Sequence, residues 1–189
     1  MRNLLHRSIV ILGVLLAATQ VAPAQAIVSA QRGSEIAPFA QATLISPDYG
    51  QTHNLGYTVG LDYTWFIRSS IVQPSIEYRY TSAKGITVNE RSYAGGIKLQ
   101  TTIHGIQPYV TFLVGHGNID LAVPQGTYAG DNAIVLAYGG GADFPVTQLF
   151  RVRAEIMGQH WNLEQATLTP TTYGLGLVYV VPFHRLGVR

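Results

Sequence analysis

Eight stretches of alternating polar and apolar residues, connections that alternate between long and short, and no sustained helical periodicity predict an all-β fold. The specific expectation is an eight-stranded antiparallel β-barrel of the transmembrane kind, wound as an up-and-down meander. Successive side chains of a strand point to opposite faces, so each stretch has one apolar and one polar wall.

The first stretch, PFAQATLIS at 38–46, sets Ala40, Ala42 and Leu44 against Gln41 and Thr43, with Phe39 out of step. The second, LGYTVGLDYTWF at 55–66, alternates almost without error: Leu55, Tyr57, Val59, Leu61, Tyr63 and Trp65 oppose Gly56, Thr58, Gly60, Asp62 and Thr64. In the third, at 72–81, Val72, Pro74, Ile76, Tyr78 and Tyr80 oppose Gln73, Ser75, Glu77, Arg79 and Thr81. The fourth, at 92–100, sets Tyr93, Ile97 and Leu99 against Ser92, Ala94 and Lys98. The fifth, at 106–115, sets Val110, Phe112 and Val114 against Gln107, Tyr109 and Thr111. The sixth, at 133–144, places Ile134, Leu136, Tyr138 and Phe144 opposite Ala137, Gly139, Gly141 and Asp143. The seventh, at 150–159, opposes Phe150, Val152 and Ile156 to Arg151, Arg153 and Glu155. The eighth, at 171–180, opposes Tyr173, Leu175, Leu177 and Tyr179 to Thr172, Gly174 and Gly176. Pro74 and Pro108 lack a ladder donor but fall near the starting ends of their strands, where that loss is tolerable.

Each stretch has the length of roughly ten residues that a tilted strand needs to cross a bilayer. After the odd-numbered strands come long connections, the longest HGNIDLAVPQGTYAGDN at 116–132; after the even-numbered ones come only IRSS, TTIHG and PVTQL. That asymmetry fits a barrel with short turns on the periplasmic side and longer loops outside. The polar walls carry Asp62, Glu77, Asp143 and Glu155 against Arg79, Lys98, Arg151 and Arg153, a balanced set that can pair inside a narrow lumen. The same walls are rich in glycine and alanine, as a tight interior requires. Aromatics gather near the ends of the apolar walls, with Tyr57, Tyr80, Tyr93 and Tyr173 toward one boundary and Trp65, Phe144, Phe150, Tyr179 and Phe183 toward the other. Two such girdles around an apolar band are expected at the headgroup level of a membrane. The rival assignment, a secreted or periplasmic ligand-binding barrel with its apolar wall inside, would make the same aromatics core residues.

The 189-residue chain starts with Arg2 and Arg7 ahead of an apolar run from Ile9 to Ala18 and a small-residue segment ending Ala24-Gln25-Ala26. This is the order of a secretory signal peptide over 1–26, with cleavage after Ala26 and a second site at Ala22-Pro23-Ala24. The remainder then divides into a periplasmic lead at 27–37, the barrel at 38–183 and a short tail at 184–189. Without the leader's two arginines, ten basic residues face ten acidic ones. No basic surplus points to a nucleic-acid partner. Cysteine is absent, which excludes disulfides, thiolate zinc sites and an acylated-cysteine anchor.

These eight strands, closing on YGLGLVYVVPF, resemble the eight-stranded outer-membrane barrels of the OmpA-like and opacity-protein superfamily. The resemblance implies residence in the outer membrane of a Gram-negative cell envelope, contact with its lipid and lipopolysaccharide, and insertion by the barrel-assembly machinery. Members commonly end on an aromatic residue, whereas here Phe183 is followed by HRLGVR. The implied role is structural or surface-interacting, porin-like in architecture and without catalysis. His53, His104, His116 and His160 lie near strand ends or in loops without a metal-ligand spacing, so no metal or cofactor is expected. GQHWNLE at 158–164 approaches the His-x-Ser pair of outer-membrane lipid A deacylases, which would make the chain a lipid-modifying enzyme. Asn162 stands where the nucleophilic serine would be, so the base has nothing to activate. AYGGGADF at 137–144 lacks the lysine and following helix of a phosphate-binding loop.

Overall fold

The computed structural model describes residues 33–48, 53–85, 88–122, 128–163 and 167–181. The leader, Phe183 and the 184–189 tail lie outside the described residues. Nine strands follow in chain order: β1 Ser34–Ser46, β2 Asn54–Trp65, β3 Gln73–Lys84, β4 Val88–Gln100, β5 Gln107–Ala122, β6 Tyr128–Pro145, β7 Phe150–Asn162, the two-residue β8 Thr167–Leu168 and β9 Thr171–Tyr179. Consecutive strands pair antiparallel, and β9 joins β7 to β1. Eight strands therefore close into a ring, with β8 a short hairpin arm on the end of β7. Closure leaves no sheet edge, the condition lipid imposes on any strand assembly that spans it.

Period two holds along every long strand, and it sets the two walls. Outward-facing Leu55, Ile97, Val110, Ile156 and Leu175 are each more than half exposed, while inward-facing Asp62, Glu77, Lys98 and Arg153 are at most 2% exposed. An apolar exterior around a charged interior is the inverse of a water-soluble barrel. Two outward glycines are covered by neighbouring rings: Tyr78 lies over Gly95 and Tyr138 over Gly158.

One end of the barrel is closed by compact turns. Between β4 and β5, His104 and Gly105 both have positive φ, 51° and 86°, and Ile103 and Ile106 exchange backbone hydrogen bonds of 2.9 and 3.0 Å. That is the backbone a two-residue hairpin with the twist of its strands requires, and glycine adopts it without steric cost. Between β2 and β3 the Gln73 side chain closes the turn, accepting from the Ile67 amide at 2.6 Å and donating to the Ser70 carbonyl at 2.6 Å. Between β6 and β7, Thr147 Oγ1 accepts from the amides of Leu149 and Phe150. At the other end the strands themselves run further: only residues 85–87 separate β3 from β4 and only 123–127 separate β5 from β6, so the stretches that the sequence offers as long loops on this side, the expected longer-connection end, are largely strand.

Several boundaries differ from the sequence expectation: β3 runs on to Lys84, β4 starts at Val88 rather than 92 and β7 runs on to Asn162, and two further differences are larger. The strand containing 38–46 begins at Ser34, so Ser34–Ala37 are strand rather than lead; Glu35 and Ala37 continue the inward face. The connection expected over 116–132 is mostly strand, since β5 runs to Ala122 and β6 starts at Tyr128 in continuous register from Gln107↔Asp143 to Ala122↔Tyr128. The polar and glycine residues there suggested a loop, but inward Ile119 and Ala133 pack against Trp161 and hold the hairpin to the barrel.

The placement of the β5–β6 and β2–β3 connections at opposite ends of the barrel generates a topological test. A cysteine replacing Gln125, between β5 and β6, should react with a membrane-impermeant thiol reagent on whole cells, and one replacing Ser69, in the β2–β3 turn, should not. The reverse labelling would invert the orientation.

Candidate functional site: the charged lumen

Strand β7 carries the interior as a series of levels, because Arg151, Arg153, Glu155, Met157, Gln159 and Trp161 all face inward. At the short-turn end Arg151 donates to both oxygens of Glu35, at 2.6 and 2.8 Å. One level deeper, Arg153 grips Asp143 through Nε at 2.7 Å and Nη2 at 2.8 Å, and the same Nη2 donates to Asp62 at 2.6 Å. Lys98 Nζ donates to that Asp62 oxygen at 2.7 Å and lies 3.6 Å from Asp143. Next, Arg79 reaches from β3 to Glu155, with Nη1 to Oε1 at 2.7 Å and Nη2 to Oε2 at 3.1 Å, while its Nε donates to Glu77 at 2.6 Å. Tyr109 and Gln41 also donate to Glu155, at 2.8 and 2.5 Å.

Bidentate pairing of this kind matches the planar guanidinium fork to the two carboxylate oxygens, which a lysine cannot do. Two rings complete the charged section. The Arg153 guanidinium carbon lies 4.3 Å from the centroid of Phe39 and 5.1 Å from that of Tyr109, and Lys98 Nζ lies 4.1 Å above Tyr109. In a dry interior such cation–π contacts contribute about 2 kcal/mol or more.

Phe39, out of step in the sequence, is an inward-facing aromatic, 5% exposed. Its cross-strand partner is Gly60, and a Cβ there would run into both the Phe39 ring and the backbone carbonyl oxygen of Tyr78. The glycine is the space the ring occupies.

Beyond the charges the chemistry changes. The hydroxyls of Thr43, Thr58 and Thr81 form a chain with spacings of 2.8 and 2.9 Å. Leu113, Met157, Ala94 and Ala137 follow, and then Val88, Ile119, Ala133, Val135 and Trp161. The sequence reading places paired charges, glycine and alanine on the inner wall; at this end the lumen is an apolar core around Trp161, whose indole N–H is satisfied by Gln159 at 2.7 Å.

Of the eight charges singled out in the sequence, seven meet in the central section, and Arg151 sits apart with Glu35. Glu35 was missed because it preceded the first recognised strand. Glu90, also inward and hydrogen-bonded by Asn54 at 2.7 Å, lies in a part of β4 not recognised as strand. Gln41 and Tyr109 were placed on the polar face, but nothing in their spacing indicates that both converge on Glu155. The aromatics lie on the outer wall: Tyr57, Tyr80 and Tyr93 form a chain with centroid separations of 6.1 and 4.7 Å toward the end with longer connections, where Tyr173 is also found. Phe150 stacks on Tyr179 at 5.3 Å toward the opposite end, with Trp65 and Phe144; Tyr63, against Trp65 at 4.6 Å, belongs with them. Among the described residues no group of three or more His, Asp or Glu side chains could hold a metal ion.

A closed ring of eight antiparallel strands, apolar outside and ion-paired inside, defines a β-barrel membrane protein. The family model for the outer membrane protein beta-barrel domain matches residues 10–180, and the chain belongs to that family, as a barrel of the outer membrane. No curated protein matches it. Among solved structures it is similar to Ail, the attachment invasion locus protein of Yersinia pestis, at 18% identity over 78% of this chain and 97% of that one, with a TM-score of 0.54. Neisserial surface protein A is similar at 13% identity over 78% and 96%, TM-score 0.53. The N-terminal β-barrel domain of Pseudomonas aeruginosa OprF is similar at 14% over 77% and 97%, TM-score 0.51.

The fit of Phe39 into the space at Gly60 can be tested by stability. Gly60→Val should cost about 1–3 kcal/mol in urea unfolding from micelles, the range for overpacking a filled interior. In a Phe39→Ala background the same change should cost less, the remainder being the clash with the Tyr78 carbonyl oxygen. An equal cost in both backgrounds would mean that ring and glycine are not coupled.

Proposed function

We propose that this protein is a closed outer-membrane scaffold that acts at the cell surface through the end bearing its longer connections, without catalysis and without steady conduction. The observation that carries this reading is the filled bore: the side chains of Arg79, Lys98, Arg153, Asp62, Asp143, Glu77 and Glu155 are at most 7% exposed. An eight-stranded ring is only wide enough for side chains to fill it, and water-filled pores belong to wider barrels. Paired charges then serve as packing for the interior.

The rest of the reading follows from the two walls. The tyrosine chain and the Phe150–Tyr179 pair act as the two girdles that set the barrel's depth in outer-membrane lipid and lipopolysaccharide. The leader exports the chain, both termini remain periplasmic, and the barrel-assembly machinery inserts it. His160 and Asn162 both project from the outer wall of β7 on either side of inward Trp161, an arrangement that supplies no nucleophile. A surface role is also in keeping with the names of two barrels of similar fold, an attachment invasion locus protein and a surface protein, the former also solved with the heparin analogue sucrose octasulfate.

Reconstituted into planar bilayers, the wild-type protein should show little or no steady conductance. Large, stable single-channel currents would mean an open lumen and would make the protein a porin.

A further inference from the structure

Four carboxyl groups and three cations meet in the central section: Asp62, Glu77, Asp143 and Glu155 with Arg79, Lys98 and Arg153. With every carboxyl ionised the section carries one uncompensated negative charge. Arg151 does not supply the balance, since its charge is paired with that of Glu35 through both Nη groups. An uncompensated charge in so dry a site is expensive, and such sites neutralise by taking up a proton.

The hydrogen bonds locate the excess. Asp143 and Glu155 use both oxygens, Glu155 accepting two bonds from Arg79 and one each from Tyr109 and Gln41. Asp62 Oδ1 and Glu77 Oε2, by contrast, are buried and accept nothing. These two residues are direct cross-strand partners on β2 and β3, both facing inward, an arrangement that places their Cβ atoms about 4.5–5.5 Å apart. Two carboxylates held side by side cannot both ionise cheaply, and one proton between them supplies a donor to one free oxygen and an acceptor at the other.

We propose that Asp62 and Glu77 form a carboxyl dyad that holds one proton at neutral pH. Glu77 is the acid and donates through Oε2 to Asp62 Oδ1. The assignment follows from the partners: Asp62 Oδ2 accepts from two cations, Lys98 and Arg153, whereas Glu77 has only Arg79, which also serves Glu155. The groups facing the dyad are Gln41 and Phe39 from β1, Arg79 on β3, Lys98 from β4, Tyr109 from β5, Asp143 from β6, and Arg153 and Glu155 from β7. The proton comes from solvent during folding, before the barrel closes, and no other group need change. The dyad rests on the closed-lumen reading, because it requires the section to be dry.

Infrared spectroscopy of the wild-type barrel in micelles at pH 7 tests it. A protonated-carboxyl C=O band should be present, should shift when glutamate is carbon-13 labelled and should not shift with labelled aspartate. Replacing sodium by choline in the buffer should leave it unchanged. Glu77→Gln, which mimics the neutral acid, should abolish the band and leave the unfolding temperature within a few degrees of wild type, while Glu155→Gln should lower it clearly. A closed, non-conducting wild type without the band, or with stability that depends on sodium, would overturn the dyad and leave the scaffold reading intact. A conducting barrel would defeat the scaffold reading on its own. A band that shifts with aspartate labelling would overturn the assignment to Glu77.

Discussion

One bidentate bridge, Arg79 to Glu155, spans the barrel. In the ring formed by β1 to β7 and β9, strands β3 and β7 stand four positions apart in either direction, so this pair crosses the full bore. Charges are costly to remove from water, and their mutual attraction repays that cost only when geometry is good and the remaining donors and acceptors are satisfied. Glu155 meets that condition through Tyr109 and Gln41, and Arg79 through Glu77. Lateral pairs lie beside it: Arg153 links β7 to β6 and β2, Lys98 links β4 to β2, and Phe39 lies beneath Arg153 in the space left at Gly60. Moving either end of the diametric bridge would leave Glu77, Tyr109 and Gln41 without their partners.

The reason for building a core from charges lies outside the barrel. With lipid against the outer wall, the apolar residues are spent facing outward, and period two leaves the inward positions to everything else. The fraction of the bore that must stay closed is then divided by depth. From the short turns through the central section it is filled by ion pairs, beyond them by threonine hydroxyls, and toward the opposite end by a small apolar core around Trp161. The last of these resembles the core of a soluble protein and anchors the extended β5–β6 hairpin where it projects past the charged section. The compact turns at the opposite end satisfy their own backbone groups through Gln73, Thr147 and the His104-Gly105 hairpin, so they need no support from the lumen.

What could be read from the residues alone follows from what period two encodes. It identifies the wall each side chain occupies, and so it separates Asp62, Arg79 and Arg153 from Leu61, Tyr78 and Val152. It carries no information about shear, and shear decides which inward charges meet. Nothing in the chain between Arg79 and Glu155 marks them as partners across the bore, and the choice of Glu35 for Arg151 depends on two strands adjacent to β9 rather than to each other. Phe39 was misread for a related reason. A large ring on the inner wall looks like an error in the alternation until the glycine opposite it is known, and that pairing is a matter of register. Strand ends were least legible where polar and glycine residues continue a ladder, as in β5 and β6, because turn-forming residues and lumen-facing residues are drawn from the same small set.

The central claim is that the diametric bridge is an energetic coupling and not merely a contact. A double-mutant cycle on Arg79→Met and Glu155→Gln, measured by reversible urea unfolding in micelles, tests it most directly. A coupling energy of about 2 kcal/mol or more is predicted, well above the few tenths within which independent sites add. Additivity of the two changes would contradict the account, because the bore would then be held by packing and backbone closure alone.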